Sequence, residues 1–389
     1  MFVTRLNLKN WRNFRTVDVP LAPRCYVIGA NASGKSNLLD VFRFLRTVAQ
    51  REGGGLQKAI KDRLGMSKLR SLHARRDPEI RIEVDLVDAL EAGAPTWRYV
   101  LAFRSEGKGQ QRVLVSEERV ELEGRLVIER PSAEDRGDDE RLTQTYLEQT
   151  NNNQEFRSLA EFFEATTYLH LVPQLLKHAD EIGSPRVAAG HDPFGQGLLQ
   201  RIARTDAKSR KARLRRINAA LGQAVPLFSE LRFEQDNVTG LWHLEANFKH
   251  WRVNGAWQRE DQFSDGTLRL IGLLWALQEG DGVLLLEEPE LSLNDAIVGH
   301  IPLLIDRVLR DRKKGALGRQ VLVSTHSESL LSEVDAASSV LLIEPGPNGS
   351  TVRTPNESER QSLKHGLNPA EVLLPLTRAP GLDRIGLPA

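Results

Sequence analysis

A chain of 389 residues is longer than one hydrophobic core ordinarily organises, so two or more lobes are expected. With 53 basic against 52 acidic residues the net charge is +1, which excludes a globally cationic polyanion binder and confines any nucleic-acid surface to a local patch. Cys25 is the only cysteine, which excludes a disulfide framework and any thiolate metal cluster and fits a reducing cytosol.

The N-terminal MFVTRLNLKNWRNF scatters Arg5, Lys9, Arg12 and Arg15 among apolar positions, and no stretch approaches 18 apolar residues. A cytoplasmic protein without a membrane partner is expected. FVTRLNL, TVDVPL and RCYVIG alternate as strands do, and Cys25 in the last of these reads as a buried, inert thiol. A helix is predicted from Ser36 to about Gln50, with Leu38, Leu39, Phe42 and Leu45 at helical spacing. After a Gly/Lys/Arg-rich stretch at 51–76, the runs EIRIEVDLV, WRYVLAF, RVLVSEERVEL and RLVIER predict an antiparallel meander. Residues 131–154 are polar and end in three asparagines, which predicts a loop or mobile lid. From 155 to 224 the pattern is helical, with a Gly/Pro-rich break at 183–197, and strand signals return at 230–257. GVLLLEE, RQVLVST and SVLLIE are buried strands alternating with helices, the pattern of a mainly parallel α/β sheet. Beyond Glu344 the chain turns polar, toward a short docked helix and a loose end.

Gly29-Ala-Asn-Ala-Ser-Gly34-Lys35-Ser36 matches G-x-x-x-x-G-K-S between a strand and a helix, the context a phosphate-binding loop requires. Its glycines let backbone N–H groups curl around phosphates, Lys35 reaches the terminal oxygens, and the Ser36 hydroxyl can ligate Mg²⁺. In VLLLEEPE a buried strand ends in Glu287 and Glu288, a costly placement unless the carboxylates are paired or near a metal. Beside a phosphate loop, the first would hold Mg²⁺ or its water and the second would activate the attacking water. The strand RQVLVST runs into His326, which could bond a γ-phosphate or be a satisfied structural histidine. FSDGTLR places Ser264 or Asp265 to cap the helix TLRLIGLLWALQ. An exposed helix start with Ser264 and Gly266 is also an anion site.

Lys35 and Glu288 lie about 250 positions apart, farther than small GTPases, RecA-like motors or nucleoside kinases allow. A long insertion between the phosphate loop and the series SDGTLR, LLLEEP, STHS strongly resembles an ABC-type ATPase head of the RecF/SMC/OLD-like branch. The likeness covers roughly 1–50 and 260–345 and is loose between. It implies ATP and Mg²⁺ as cofactors, ATP hydrolysis as the activity, and a homodimer closed around ATP. By resemblance, Gly29, Asn31, Gly34, Lys35, Ser36 and Asn37 form Walker A, Glu287 is the Walker B acid, Glu288 the catalytic base and His326 the switch histidine. Ser264 and Gly266 belong to the signature that meets the other subunit's γ-phosphate, and Ser292 and Asn294 fall on the D-loop. Gln174, in VPQLL, is the candidate Q-loop residue and metal contact, or else a plain surface glutamine. Glu287 stands where Walker B normally has Asp, and Asn294-Asp295 replaces the usual D-loop ending.

The expected architecture is α/β: a P-loop NTPase head of ABC type with a mainly parallel core sheet, an antiparallel β subdomain and a helical insertion. The first half of the head takes 1–130, a polar lid and helical insertion 131–228, the second half 229–345 and a tail 346–389. Within the insertion, RIARTDAKSRKARLRR carries Arg204, Lys208, Arg210, Lys211, Arg213, Arg215 and Arg216, a local footprint for nucleic-acid phosphates. The alternative is a solvated helix salt-bridged to acidic neighbours such as 134–140. Only 63 residues follow His326, without a clustered DxD, so an appended nuclease is not expected. Two functions follow from the resemblance: a DNA-engaging ATPase of genome maintenance, or an ATPase scaffold of an anti-phage system that controls a separate effector protein. A membrane transporter subunit is disfavoured by the long insertion and the absence of an LSGGQ signature.

Overall fold

The computed structural model describes residues 1–74, 77–88, 93–107, 112–177, 192, 194–249, 257–310, 319–334 and 340–378. Most of the break expected at 183–197 and the chain end beyond 378 lie outside these residues. Contacts group the chain into two compact units, Met1–Thr167 with Asp281–Leu285 and Leu309–Ala389, and Tyr168–Gly280 with Leu286–Val308.

The first unit opens with strands β1 (Phe2–Trp11), β2 (Phe14–Pro20) and β3 (Arg24–Gly29) and helices α1 (Lys35–Ala49), α2 (Leu56–Lys61) and α3 (Met66–Leu69). Strands β4 (Ile80–Val87), β5 (Trp97–Ser105), β6 (Val113–Leu122) and β7 (Arg125–Arg130) follow, then helix α4 (Arg157–Glu164). An antiparallel sheet runs β2-β1-β4-β5-β6-β7. Alternation sets its register: Leu6 pairs with Val19 and Val84, while Ile80, Ile82, Val84 and Leu86 are all buried. Alternate positions carry charge, with Arg5 and Arg98 on Glu83 and Asp85.

Strand β8 (Thr167–Leu169) is followed by α5 (Pro173–Lys177), α6 (Leu198–Arg204) and α7 (Ala207–Ala224), then β9 (Phe228–Gln235), β10 (Trp242–Phe248) and β11 (Trp257–Arg259). Helix α8 (Asp265–Gln278), strand β12 (Leu284–Glu287), helices α9 (Asp295–Val298) and α10 (Ile301–Arg310), strand β13 (Val321–Ser324) and helix α11 (Glu328–Leu331) come next. The chain closes with β14 (Val340–Glu344), β15 (Thr351–Arg353), α12 (Glu357–Lys364) and α13 (Pro369–Leu373). A second sheet has the order β15-β14-β3-β13-β12-β8. Its centre is parallel, β3 pairing with β13 and β14, and those strands are apolar throughout because both faces are covered.

Helix α1 is buried on more than one side: it packs on β3 and β13, and Phe44 reaches the antiparallel sheet at Trp11 (5.2 Å, edge-on) and Phe103 (5.4 Å, stacked). Truncating such a side chain would cost about 3–5 kcal/mol. Residues 131–154, expected as a loop or lid, form short 3-10 turns tied to β6 and β7. Fully buried Glu118 accepts the N–H groups of Tyr146 (2.7 Å) and Leu147 (3.0 Å) and pairs with Arg130 (3.2 Å). Arg130 donates Nε and Nη2 to the two carboxylate oxygens of Asp135, 3.0 Å each, and lies 3.9 Å from the centre of the Tyr146 ring. The acidic run is thus paired within its own unit, Glu134 with Arg141 and Glu140 with Arg112.

In the second unit, α8 is apolar all round and buried from Leu270 to Leu277. The antiparallel sheet β11-β10-β9 places Phe233 and Trp242 in a stack at 4.9 Å. Among the described residues, no helix is long and apolar enough to cross a membrane.

Candidate functional site

The loop between β3 and α1 is shaped by its glycines. A Cβ on Gly29 would come within 2.5 Å of Ser33 Oγ and 2.8 Å of the Ile343 carbonyl oxygen on β14. Gly34 has φ 115°, a left-handed conformation that only glycine adopts cheaply, and a Cβ there would collide with the Asn13 amide. Lys35 is buried and its Nζ donates to the carbonyls of Gly29 (3.0 Å) and Ala30 (3.4 Å), inside the loop. Asn31 and Ser36 are exposed beside it. Ser33 Oγ is buried without a hydrogen-bond partner. A glycine-walled cradle with an inward lysine, an exposed serine at the helix start and an orphan hydroxyl fits a nucleotide's phosphates and Mg²⁺.

The loop is braced from behind by residues that the motif does not contain. Asn13 Nδ2, in the β1–β2 turn, donates to the Ser33 carbonyl (2.6 Å) and to Ser350 Oγ (2.9 Å). Ser350 Oγ donates to the same carbonyl at 2.7 Å. Asn37 Nδ2 donates to Asn13 Oδ1 (2.8 Å), and the Trp11 indole N–H to the Asn37 carbonyl (2.8 Å). Asn37 therefore spends its side chain on this brace. Asp40 on α1 holds the same turn through Arg12 (2.6 Å) and the segment after α2 through Arg63 (2.8 Å). Burial pushes the Asp40 carboxyl up, but Arg63, Arg12 and Arg43 outweigh it and hold the group below the ordinary carboxylate range.

Beside β3, β13 ends at Ser324, and Thr325 N–H donates to the Val27 carbonyl at 3.1 Å. His326 follows, exposed at the end of the strand neighbouring the one that leads into the loop. Ser327 then caps α11 by accepting from Leu330 N–H at 3.2 Å.

In the second unit, β12 ends at half-buried Glu287, and Glu288 adopts φ 45°. A glutamate in the left-handed region stores about 1–2 kcal/mol of strain, the kind of outlier that clusters at working sites. Tyr168 Oη donates to Glu287 Oε2 at 2.5 Å, and His170 Nδ1 lies 3.3 Å from the Glu287 carbonyl oxygen. Ser264 is exposed and caps α8, its Oγ accepting from Thr267 N–H at 3.1 Å. A Cβ on Gly266 would lie 2.6 Å from the Ser292 carbonyl, and Ser292 itself has φ 61°. Asn294 caps α9 through Ala296 N–H at 2.9 Å. Gln174 Nε2 donates to Asp265 Oδ2 (2.5 Å) and Lys177 Nζ to Oδ1 (2.8 Å), so the structure places the Q-loop candidate on Asp265 at the start of α8. Sequence reasoning missed Arg269, one turn along α8, whose buried Nε has no hydrogen-bond partner. Burial pushes its guanidinium down, opposed by the Asp265 and Glu288 carboxylates.

The basic helix is divided. Arg210 stands over Trp242 (4.9 Å), Arg213 over Trp275 (5.2 Å), and Arg216 donates to Gln278 (3.3 Å). Arg204, Lys208, Lys211 and Arg215 are exposed and make no ion pair among the described residues.

Phosphate loop, strand-end carboxylates and the capped start of α8 on mixed α/β sheets are those of an ABC-type ATPase of the RecF/SMC branch. The chain belongs to the AAA domain family described as putative AbiEii toxin, Type IV TA system, whose model matches residues 26–332. Over 87 residues it is 31% identical to the DNA replication and repair protein RecF of Clavibacter michiganensis, spanning 22% of each chain. RecF of Clavibacter sepedonicus is 30% identical over 87 residues, of which the match spans 21%. The chain thus spans about a fifth of the length of these relatives. Its fold is similar to an SMC head bound to the C-terminal winged-helix domain of ScpA, with TM-score 0.55 and 16% identity over 94% of this chain and 100% of that one.

Proposed function

We propose that two copies of this ATPase close around two ATP molecules, Walker A of one copy facing the signature of the other. The observation that carries this is the exposed start of α8: Ser264 and Gly266 form a second anion-binding helix terminus in a chain that already has a phosphate loop at α1. Gly29, Asn31, Gly34, Lys35 and Ser36 hold the phosphates, with Ser36 and Glu287 as the residues that would hold Mg²⁺. When bound, that ion neutralises charge on the β- and γ-oxygens. Glu288 takes a proton from the attacking water as its oxygen bonds the γ-phosphorus and the bond to the β-phosphate oxygen breaks, leaving ADP and phosphate. His326 donates a hydrogen bond to the γ-phosphate. Glu288→Gln removes the base and traps the closed state, so light scattering with ATP and Mg²⁺ should show a dimer; a monomer would overturn the proposal.

The dimer acts on DNA through α7 and the end of α6, a reading supported by four exposed cations, Arg204, Lys208, Lys211 and Arg215, whose side chains lack hydrogen-bond and ion-pair partners among the described residues. Reversing Arg204, Lys208, Lys211 and Arg215 to glutamate should lower duplex affinity and flatten its salt dependence by several charges. Arg210 and Arg213 are left intact because they pack on tryptophans. A second reading, control of a separate effector protein, is compatible with the family's description as putative AbiEii toxin, Type IV TA system. Unchanged DNA binding in the reversed variant, with a protein co-purifying with Glu288→Gln, would select it.

A further inference from the structure

Resting on the site proposed above, we infer that Tyr168 is a positioning residue for the Walker B glutamate, orienting the Glu287 carboxylate for the metal. A glutamate at this position has one more rotatable bond than aspartate, so its carboxylate can sweep a wider arc and loses more freedom when fixed. The structure meets this with a grip from the neighbouring strand. Tyr168 Oη donates to Glu287 Oε2 at 2.5 Å, while the His170 ring nitrogen stands 3.3 Å from the carbonyl oxygen of the same residue. β8 and β12 are adjacent strands, and the contacts come from Tyr168 within β8 and His170 just after it, which hold the end of β12 at its tip and at its backbone. A hydroxyl donor on Oε2 orients the carboxylate plane and so sets the angle at which the group meets Mg²⁺ or its water. Ligating carboxylates are commonly held this way, and removing the holding partner weakens metal affinity about 10–100-fold.

The test measures the affinity of a fluorescent, slowly hydrolysed ATP analogue with Mg²⁺ and with EDTA, in wild type, Tyr168→Phe, Glu287→Gln and Glu287→Asp. The wild type should bind more tightly with Mg²⁺, and Glu287→Gln should lose most of that gain; failure of either would reject the site itself and the inference with it. Given that gain, Tyr168→Phe should reduce it roughly tenfold while leaving the EDTA affinity unchanged. In the Glu287→Asp background, whose shorter carboxylate falls away from Tyr168, adding Tyr168→Phe should change nothing further. An undiminished Mg²⁺ gain in Tyr168→Phe, or an equal loss with Mg²⁺ and with EDTA, would overturn the positioning role while leaving the site standing. Circular dichroism of Tyr168→Phe, expected to match wild type, separates both from misfolding.

Discussion

The carbonyl oxygen of Ser292 lies 2.6 Å from where a Cβ on Gly266 would stand. Helix α8 and the loop after the two glutamates are therefore in backbone contact, and no side chain fits between them. Gly266→Ala must push the loop away, at a cost of about 1–3 kcal/mol for overpacking. Displacing that loop moves Glu288 with it, so turnover should fall on the order of 100-fold while ATP binding persists. Thermal melts and steady-state hydrolysis measure the two effects.

Ser264→Arg keeps the phosphate loop intact but sets a bulky cation at the exposed start of α8 and removes the cap. Loss of the cap should cost about 1 kcal/mol. In titrations the variant should bind ATP as wild type does, yet remain monomeric and hydrolytically silent at every protein concentration.

Asn13→Ala removes one of the two donors on the Ser33 carbonyl and the anchor of Asn37. A buried hydrogen bond of this kind is worth about 0.5–1.5 kcal/mol, so the dissociation constant for ATP should rise up to about tenfold. Calorimetry would show the loss, and Ser350→Ala should reproduce part of it.

Glu148 gives the fold a pH dependence. Burial pushes its carboxyl up from 4.5 to about 6, against donors from Thr145 and Leu56. The native state therefore holds this proton more tightly than the unfolded chain. Its stabilising contribution is complete below about 4.5 and lost as pH rises through 6, at most about 2 kcal/mol. Asp40 works in the opposite sense and only at lower pH, its contribution vanishing as acid protonates it below 3.8. Urea midpoints at pH 4.5 and 7.5 should differ less in Glu148→Gln than in wild type.

What could be read along the chain was whatever is local. The loop around Lys35, the apolar strands ending in Glu287 and at Ser324, and the cap at Ser264 each occupy a few consecutive residues whose spacing states their geometry. The brace behind the loop could not be read, because Asn13, Ser33 and Ser350 meet only when the β1–β2 turn and β15 converge. Tyr168 on Glu287 is likewise a contact between strands 119 positions apart. Residues 131–154 have the composition of a free loop, and what ties them down is Glu118 and Arg130 outside the segment, two charges that a hydropathy pattern assigns to a surface. The helix rich in Lys and Arg looks uniformly cationic in one dimension, whereas packing turns Arg210 and Arg213 onto indoles.

Those two stacks make the protein its own optical reporter. Trp242 belongs to the small sheet and Trp275 to the helix that Ser264 begins, and each has an α7 guanidinium 4.9–5.2 Å from its ring centre. Indole emission is sensitive to a cation held against the ring, so a shift of α7 against either neighbour changes the native fluorescence of two of the six tryptophans. Single Trp→Phe replacements would tell which colour change belongs to the sheet and which to α8, without any attached dye.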